Sequence, residues 1–169
     1  MNTQSGLTPG REVPRGECLL TDQKGSPLTA ASLGTAIVVV LHCQKTGTIV
    51  LGHIPFPDSG LEPQKALERP CLFADTALKH LVAELKNCGC PMDAATTRVV
   101  LSGGAGIKNV SENLDIGSQN VQSAKSCLQE LGLKIDAQDV GLSRNRSVSV
   151  NPENGAVCIS VPGLEDTYL

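Results

Sequence analysis

One histidine, His53, lies where an apolar run meets a turn, in the stretch "GHIPFPDSG". Imidazole gains and loses a proton near neutral pH, and folds often expose acid–base groups at strand ends. A general base also needs a nucleophile beside it. In the predicted hairpin, the strand paired with that of His53 begins at Gly34, Thr35 and Ala36, of which only Thr35 carries a hydroxyl. Because a lone histidine more often has a structural role, both interpretations stay open at this level.

Other groups of reactive residues fit known chemistry less well. The glycine loop "SGGAGIKN" at 102–109 has neither the Lys-Ser/Thr ending of a P-loop nor the spacing of a dinucleotide site. The pair Cys88 and Cys90 lacks the second ligand pair that a structural zinc site needs. His42 and Cys43 are neighbours on a predicted strand, so their side chains point to opposite faces. The sequence therefore predicts no cofactor and no metal.

Composition and charge narrow the classes of partner. Aromatic residues make up 2% of the chain and the net charge is -3 without a basic run, so nucleic-acid binding is not expected. No apolar run approaches membrane-spanning length and the first residues do not resemble a leader, so we expect a cytoplasmic protein without membrane insertion. Seven cysteines scattered through apolar runs indicate reduced, buried thiols rather than a disulfide framework.

Strands and hairpins must position these residues. The β-branched run 36–43 and the run 48–54 flank a short polar turn and predict a hairpin. Because the first run lacks polar alternation, its strand should lie in the middle of a layered sheet. The stretch "TRVVLSGGAGI" predicts a strand that enters the glycine loop, and the segment 151–155 predicts a second hairpin.

Two segments have the apolar spacing of helices. The stretch "DTALKHLVAELKNCG" predicts a helix with Asp75 as N-cap and Gly89 as its stop, and a second helix begins near Ile116. No internal repeat or low-complexity linker interrupts the chain. The sequence therefore predicts a single α/β domain over residues 13–165, preceded by a flexible tail over residues 1–12.

Several stretches follow one another in an order that identifies a family. They are "GE" at 16–17, "SLGTAIVVVL", "LGHIPFPDSG", "FADTALKHLVAELKNCGC", "SGGAGI", "IGSQNVQ" and "DVGLSRNRSVSVNPENGAV". Over residues 13–162 this order resembles the CheD family of chemoreceptor glutamine deamidases. The resemblance implies a single-domain layered α/β sandwich of the CheD type, with mixed and antiparallel strands and two main amphipathic helices.

The resemblance also implies a catalytic site with a cysteine nucleophile, a histidine base and a threonine. His53 matches the histidine, and Ala36 stands at the cysteine position with the family's spacing of 17 residues between them. The threonine position falls on Ala30, or on Thr29 if the preceding stretch is one residue longer in this chain. We expect His53 within a few ångströms of the Ala36 methyl group, on paired strands and in a partly open groove.

The loops around that site are where the resemblance implies recognition. They contain the motifs "PDSG" and "SGGAGI", and loops on a rigid sheet commonly carry binding residues. The candidate binding residues are Thr35, Asp58, Ser59, Gly103 and Gly104.

Three functions are compatible with these residues. A methyl group cannot attack an amide, so the favoured function is a CheD-like protein of impaired catalysis that binds methyl-accepting chemotaxis receptors and a CheC-type phosphatase. The alternative is an active protein-glutamine deamidase that converts receptor Gln to Glu with another nucleophile, or an engineered Cys-to-Ala copy of such an enzyme. A small-molecule or metal-binding module has the least support.

Overall fold

Two five-stranded sheets pack face to face, and two long helices cover the outer face of one of them. The computed structural model describes residues 10–169. The strands are β1 (Arg11–Glu12), β2 (Glu17–Thr21), β3 (Leu28–Ala30), β4 (Ile37–Cys43), β5 (Thr48–Ile54), β6 (Thr97–Gly103), β7 (Ala137–Val140), β8 (Ser147–Val150), β9 (Val157–Ser160) and β10 (Thr167–Tyr168). The helices are α1 (Pro63–Glu68), α2 (Ala74–Asn87) and α3 (Ile116–Glu130), with 3-10 turns at Ser59–Leu61, Pro70–Leu72 and Glu112–Leu114. This architecture confirms the predicted layered α/β sandwich.

The predicted hairpin forms the middle of the sheet that carries the helices, which we call the helix-backed sheet. Its strand order is β2-β5-β4-β6-β7. β4 and β5 pair antiparallel from Ile37 opposite Ile54 to Cys43 opposite Thr48, as the sequence predicted. β4 is buried on both faces because the second sheet lies on one side and the helices on the other.

Alternation along β4 separates the two layers of the core. Val38 and Val40 point into the inner core, which lies between the sheets. Ile37, Val39 and Leu41 point into the outer core, which lies between the helix-backed sheet and the helices. Any residue directly opposite Val38 on a neighbouring strand therefore also faces the inner core.

The second sheet has the strand order β1-β3-β8-β9-β10. The predicted hairpin at 151–155 is confirmed between β8 and β9, where the N–H of Asn151 donates to the carbonyl of Ala156 at 2.9 Å. Residues 1–9 of the expected tail lie outside the described residues. Arg11 and Glu12, at the end of that tail, form β1 and pair with β3.

The predicted helices are α2 and α3, but the N-cap assigned to α2 was wrong. Phe73 is the N-cap residue of α2 and makes no side-chain cap, and Asp75 lies inside the first turn. The Asp75 carboxylate instead accepts hydrogen bonds from the Ser59 N–H at 3.1 Å and the Ser59 hydroxyl at 2.5 Å. At α3, Asp115 caps the helix by accepting from the N–H of Gly117 at 3.1 Å.

All seven cysteines lie within residues 10–169, and none of them forms a disulfide. Five are buried, as the sequence predicted, whereas Cys88 is exposed and Cys18 is half-buried. Among the described residues, no helix combines the length and apolar character needed to cross a membrane.

Candidate functional site

The start of β4 and the ends of β5, β6 and β7 meet at one edge of the helix-backed sheet. Ile37 pairs with both Ile54 and Gly103, and Gly103 pairs with Val140. We call this the loop edge, because the connections that leave it carry most of the candidate site residues.

His53 lies on β5 beside the loop edge and points into the inner core, opposite Val38. Its Nδ1 lies 3.0 Å from the carbonyl oxygen of Val13, which can only accept, so Nδ1 donates and Nε2 keeps the lone pair. Nε2 is buried, and no described residue provides it with a hydrogen-bond partner. Burial is the main influence that lowers the pKa of His53, so the neutral imidazole carries a free basic nitrogen at pH 7.

Ala36 lies on the same face of the sheet as His53. The ladder between β4 and β6 continues one residue beyond Ile37, because the N–H of Gly104 donates to the carbonyl of Ala36 at 2.8 Å. Alternation then directs the Ala36 methyl group towards the inner core, like Val38. Ala36 and His53 are diagonal neighbours on adjacent strands, a separation that a histidine side chain can bridge. On the neighbouring strand, the side chain on the same face as the unpartnered Nε2 of His53 is thus the methyl group of Ala36.

The groove that we expected around this pair is closed. His53 is 4% exposed and Ala36 is fully buried. The N–H of Gly16 donates to the carbonyl of His53 at 2.7 Å, and the Arg15 guanidinium donates to the carbonyl of Leu33 at 3.3 Å. The segment before β2 therefore extends from β5 to the residues that precede β4 and covers the pair.

A buried hydroxyl that sequence reasoning missed lies on the other side of Ala36. Ser102 on β6 is opposite Val38, so it also faces the inner core, and its Oγ has no partner in the part of the chain that the structure describes. β4 separates Ser102 from His53, which puts their strands two spacings apart, roughly 9.4–9.8 Å. In this structure the hydroxyl and the imidazole do not hydrogen-bond to each other.

Asn120 on α3 fixes the position of both strand ends. It is fully buried, and its Nδ2 donates to the carbonyl of Thr35 at 2.9 Å and to the carbonyl of Pro55 at 3.0 Å. One side chain thus ties the residue before Ala36 to the second residue after His53. The signal for this role was present in the sequence, since Asn120 falls on the apolar stripe of α3, four residues before the buried Ala124.

The two glycines of the loop edge allow β6 to approach the segment that contains Ala36. Gly103 has φ +104°, and a Cβ there would lie 2.4 Å from the Ala36 carbonyl oxygen. Gly104 has φ +65°, and its Cβ would lie 2.4 Å from Val121 on α3. Both the backbone conformation and the space require glycine at these positions. Their role is therefore to shape the site.

A buried ion pair supports the residues before Ala36. Arg146 is 1% exposed and donates to the Asp139 carboxylate at 3.0 Å, and its own carbonyl accepts from the N–H of Leu33 at 2.8 Å. Burial would raise the pKa of Asp139, but the hydrogen bonds from Arg146 and Arg144 outweigh it and hold that pKa below its usual value. Asp139 therefore stays ionised and keeps Arg146 in place.

The two threonines of the candidate set lie on β3 and in the turn before β4. Thr29 is on β3 in the second sheet, where its neighbours Leu28 and Ala30 point into the inner core, so its own side chain points outwards. Its hydroxyl donates to the carbonyl of Arg11 at 3.4 Å. Thr35 is half-buried and lies in the turn that precedes Ala36, where its carbonyl accepts the hydrogen bond from Asn120.

Asp58 and Ser59 shape the loop that follows β5. The Asp58 carboxylate accepts from the N–H of Gly60 at 2.6 Å and starts a 3-10 turn, while Ser59 is bonded to Asp75 on α2. Two grooves border this loop. The polar groove is lined by Pro57, Asp58, Glu112, Asn113, Ser118, Gln119, Gln122, Ser123 and Ser126. The apolar groove is lined by Phe56, Pro57, Asp58, Gly60, Leu61, Glu62, Phe73, Ile116 and Gln119.

Comparison with known proteins identifies a family. A family described as CheD chemotactic sensory transduction matches residues 56–161. A protein of Thermotoga maritima named "Chemoreceptor glutamine deamidase CheD" is 32% identical over 136 residues, which cover 80% of this chain and 82% of that protein. A protein of Halalkalibacterium halodurans with the same name is 33% identical over 135 residues, which cover 78% of this chain and 82% of that protein.

The fold and these similarities define a chemotaxis protein of the sensory-transduction class. The chain belongs to the CheD family of chemoreceptor glutamine deamidases.

Proposed function

We propose that this CheD protein binds the cytoplasmic helices of chemoreceptors but does not deamidate them. The observation that carries the proposal is the pairing of His53, whose Nε2 lone pair has no partner among residues 10–169, with the methyl group of Ala36. A base without a nucleophile lacks the covalent step of amide hydrolysis. Loss of a nucleophile costs about six orders of magnitude in kcat in a serine protease.

The absence of any partner for His53 Nε2 among residues 10–169 supports a site without a nucleophile. Thr35 lies in the turn before β4, Ser102 lies on β6 with β4 between it and His53, and the structure shows no hydrogen bond from either hydroxyl to the imidazole. The alternative, an active deamidase with a different nucleophile, therefore needs a rearrangement of the loop edge. Whether Ala36 is natural or engineered does not change this chemistry.

The surface around the loop edge favours receptor binding. The connections after β5, β6 and β7 expose apolar side chains that a folded protein usually buries. They are Phe56, Leu61, Ile107, Val110, Leu114 and Leu142, of which Leu61 is 91% and Leu114 71% exposed. An amphipathic helix needs an apolar strip beside polar groups, and the adjacent apolar and polar grooves of the Pro57–Leu61 loop offer both. Chemoreceptor cytoplasmic regions present such helices, and a CheC-type phosphatase is a second partner that family membership suggests.

The test combines binding and chemistry on the same sample. A receptor cytoplasmic fragment is titrated into the protein by calorimetry, and its tryptic peptides are then examined by mass spectrometry for conversion of Gln to Glu. We expect binding without conversion, while the Thermotoga maritima relative serves as a positive control for deamidation. A Leu61→Asp variant should weaken binding, whereas Leu67→Asp is a matched control, because Leu67 is also an exposed leucine but lies on α1 outside both grooves.

Two results would contradict the proposal. Conversion of receptor Gln by the unmodified protein, abolished by His53→Gln, would show an active enzyme with another nucleophile. No association with receptor fragments at low salt and high protein concentration would remove the binding function.

A further inference from the structure

Three potential metal ligands meet on the opposite side of the helix-backed sheet from His53. The sulfur atoms of Cys18 and Cys71 and a ring nitrogen of His80 all lie within 4.8 Å of one another. Cys71 is buried, whereas Cys18 and His80 are half-buried, so the cluster has one side open to solvent. No other group of three or more such ligand atoms occurs among residues 10–169.

The fold brings these residues together from three elements. Cys18 is on the edge strand β2 opposite Gly52, and alternation directs it to the outer core, away from the inner-core face of His53. Gly52 lets α2 lie close to the sheet, because a Cβ there would meet the Leu81 side chain at 3.0 Å. This close packing brings His80, the residue before Leu81, near Cys18. Cys71 lies in the 3-10 turn that leads into α2.

The ligand atoms suit a particular kind of metal ion. Two thiolates and an imidazole are typical ligands of Zn²⁺, and the set of two cysteines and one histidine is one of its known three-residue sets. Ligand atoms around a tetrahedral Zn²⁺ lie about 3.5–3.8 Å apart, given Zn–S near 2.3 Å and Zn–N near 2.0 Å. A cluster within 4.8 Å needs only small side-chain adjustments to reach this spacing.

Charge near the cluster also favours a cation. Glu84 is four residues after His80 on α2, so both occupy one face of the helix, and Glu84 interacts electrostatically with Cys18 and Cys71. Glu17 also interacts electrostatically with Cys71, and a bound cation would be stabilised by both carboxylates.

We propose that Cys18, Cys71 and His80 form a Zn²⁺ site that fastens the edge strand β2 to helix α2. The fourth coordination position is filled by water, and Glu17 and Glu84 supply negative charge near the ligands. The site is separate from the candidate catalytic pair, since it lies on the other face of the sheet, and it does not depend on the proposed receptor function.

The test uses the 169-residue chain, reduced and freed of metal by a chelator. Zn²⁺ is titrated against a chromophoric chelator, and Co²⁺ is used as a spectroscopic probe, because thiolate ligation in a tetrahedral site gives strong charge-transfer and d–d absorption. We expect one equivalent of Zn²⁺ and a tetrahedral Co²⁺ spectrum. Cys18→Ser and His80→Gln should each weaken Zn²⁺ binding more than about 100-fold, since loss of outer-shell partners alone costs 10- to 100-fold. Glu84→Gln should weaken it about 10-fold.

Matched controls separate this site from the other thiols. Cys90→Ser removes a buried cysteine that interacts with the thiol of Cys43, and Cys88→Ser removes an exposed one. Both variants should bind Zn²⁺ as the parent does. Because the Cys71 site is buried, the half-buried Cys18 and His80 positions carry the test if Cys71→Ser fails to fold.

Two outcomes would overturn the proposal. The first is Zn²⁺ binding that Cys18→Ser and His80→Gln leave unchanged. The second is a reduced protein that binds no Zn²⁺ but forms a Cys18–Cys71 disulfide in air, which would identify the pair as a redox couple.

Discussion

Replacing Ala36 by cysteine tests whether the loop edge still contains the partner that a thiol needs. The substitution adds one sulfur atom to a fully buried position that is a diagonal neighbour of His53. Added volume in a packed site costs typically about 1–3 kcal/mol, which a folded domain of this size should tolerate. The new sulfur points to the face on which Nε2 has no partner among the described residues.

The expected effect is a large change in thiol ionisation. A thiol with an unperturbed pKa of about 8.5 is roughly 3% thiolate at pH 7. Burial works against ionisation in this protein, since it is the main influence that raises the pKa of Cys90 and of Cys127. If the imidazole of His53 takes the proton and lowers the pKa of the new thiol to about 6.5, the thiolate fraction reaches roughly three-quarters, an increase of about 25-fold.

The assay is the ultraviolet absorbance of the thiolate, measured as a difference between variant and parent from about pH 5 to pH 9. Val40→Cys is the matched control, because Val40 is on the same face of the same strand but lies opposite Leu51 rather than His53. Adding His53→Gln to Ala36→Cys should move the titration to higher pH. If Ala36→Cys titrates like Val40→Cys, or if His53→Gln leaves it unchanged, the two positions do not form a latent dyad.

Three further changes follow from the geometry of the site. Asn120→Ala removes hydrogen bonds to the carbonyls of Thr35 and Pro55 and should lower the free energy of unfolding in urea by about 2–4 kcal/mol. Asn113→Ala, at an exposed position, should change it by less than about 0.5 kcal/mol, and equal losses would contradict the proposed role of Asn120 in holding the two strand ends. In Gly103→Ala the new Cβ would lie 2.4 Å from a backbone oxygen, whereas in Gly132→Ala it would have no atom within 4 Å, and both glycines have a positive φ. Gly103→Ala should therefore lower the free energy of unfolding by well over about 1 kcal/mol more than Gly132→Ala. Burial lowers the pKa of His53, so as the pH decreases the unfolded chain binds the proton before the folded chain does. The contribution of neutral His53 to stability should therefore be fully present above about pH 6.5 and decrease below it. The measurement is the free energy of unfolding in urea at several pH values. His53→Gln should reduce the dependence of this free energy on pH by at most about 1.4 kcal/mol per pH unit, and an unchanged dependence would contradict the role given to His53.

The strands and helices could be predicted because local patterns determine them. Residues 37–41 are all apolar, a pattern typical of a strand covered on both faces, and the turn before Thr48 sets the register of the hairpin. The spacing of 17 residues then placed Ala36 and His53 on one face of paired strands. The prediction of Asp75 as N-cap was wrong. Its carboxylate accepts a hydrogen bond from Ser59, sixteen residues earlier, and the apolar spacing of a helix does not indicate such a partner.

The rest of the site depends on contacts between elements that are far apart in the chain. The cover over His53 comes from residues almost forty positions earlier, so the open groove could not be distinguished from a closed one by strand pairing alone. Ser102 lay within a recognised motif, but only the register with Val38 turns its hydroxyl to the face of Ala36. Cys18, Cys71 and His80 have no shared spacing in the sequence and meet only because α2 packs over Gly52.

The hydrogen bonds of Asn120 link the candidate site mechanically to the protein surface. The next residue along the chain, Gln119, lines both grooves of the loop edge, while Asn120 itself donates to the carbonyls of Thr35 and Pro55. Neighbouring residues of a helix move together. A displacement of the first turns of α3 is therefore expected to break the hydrogen bonds from Asn120 to Thr35 and Pro55 or to move the two strand ends with the helix. We therefore expect a ligand that displaces α3 from the grooves to change the spacing between the buried imidazole and residue 36 as well.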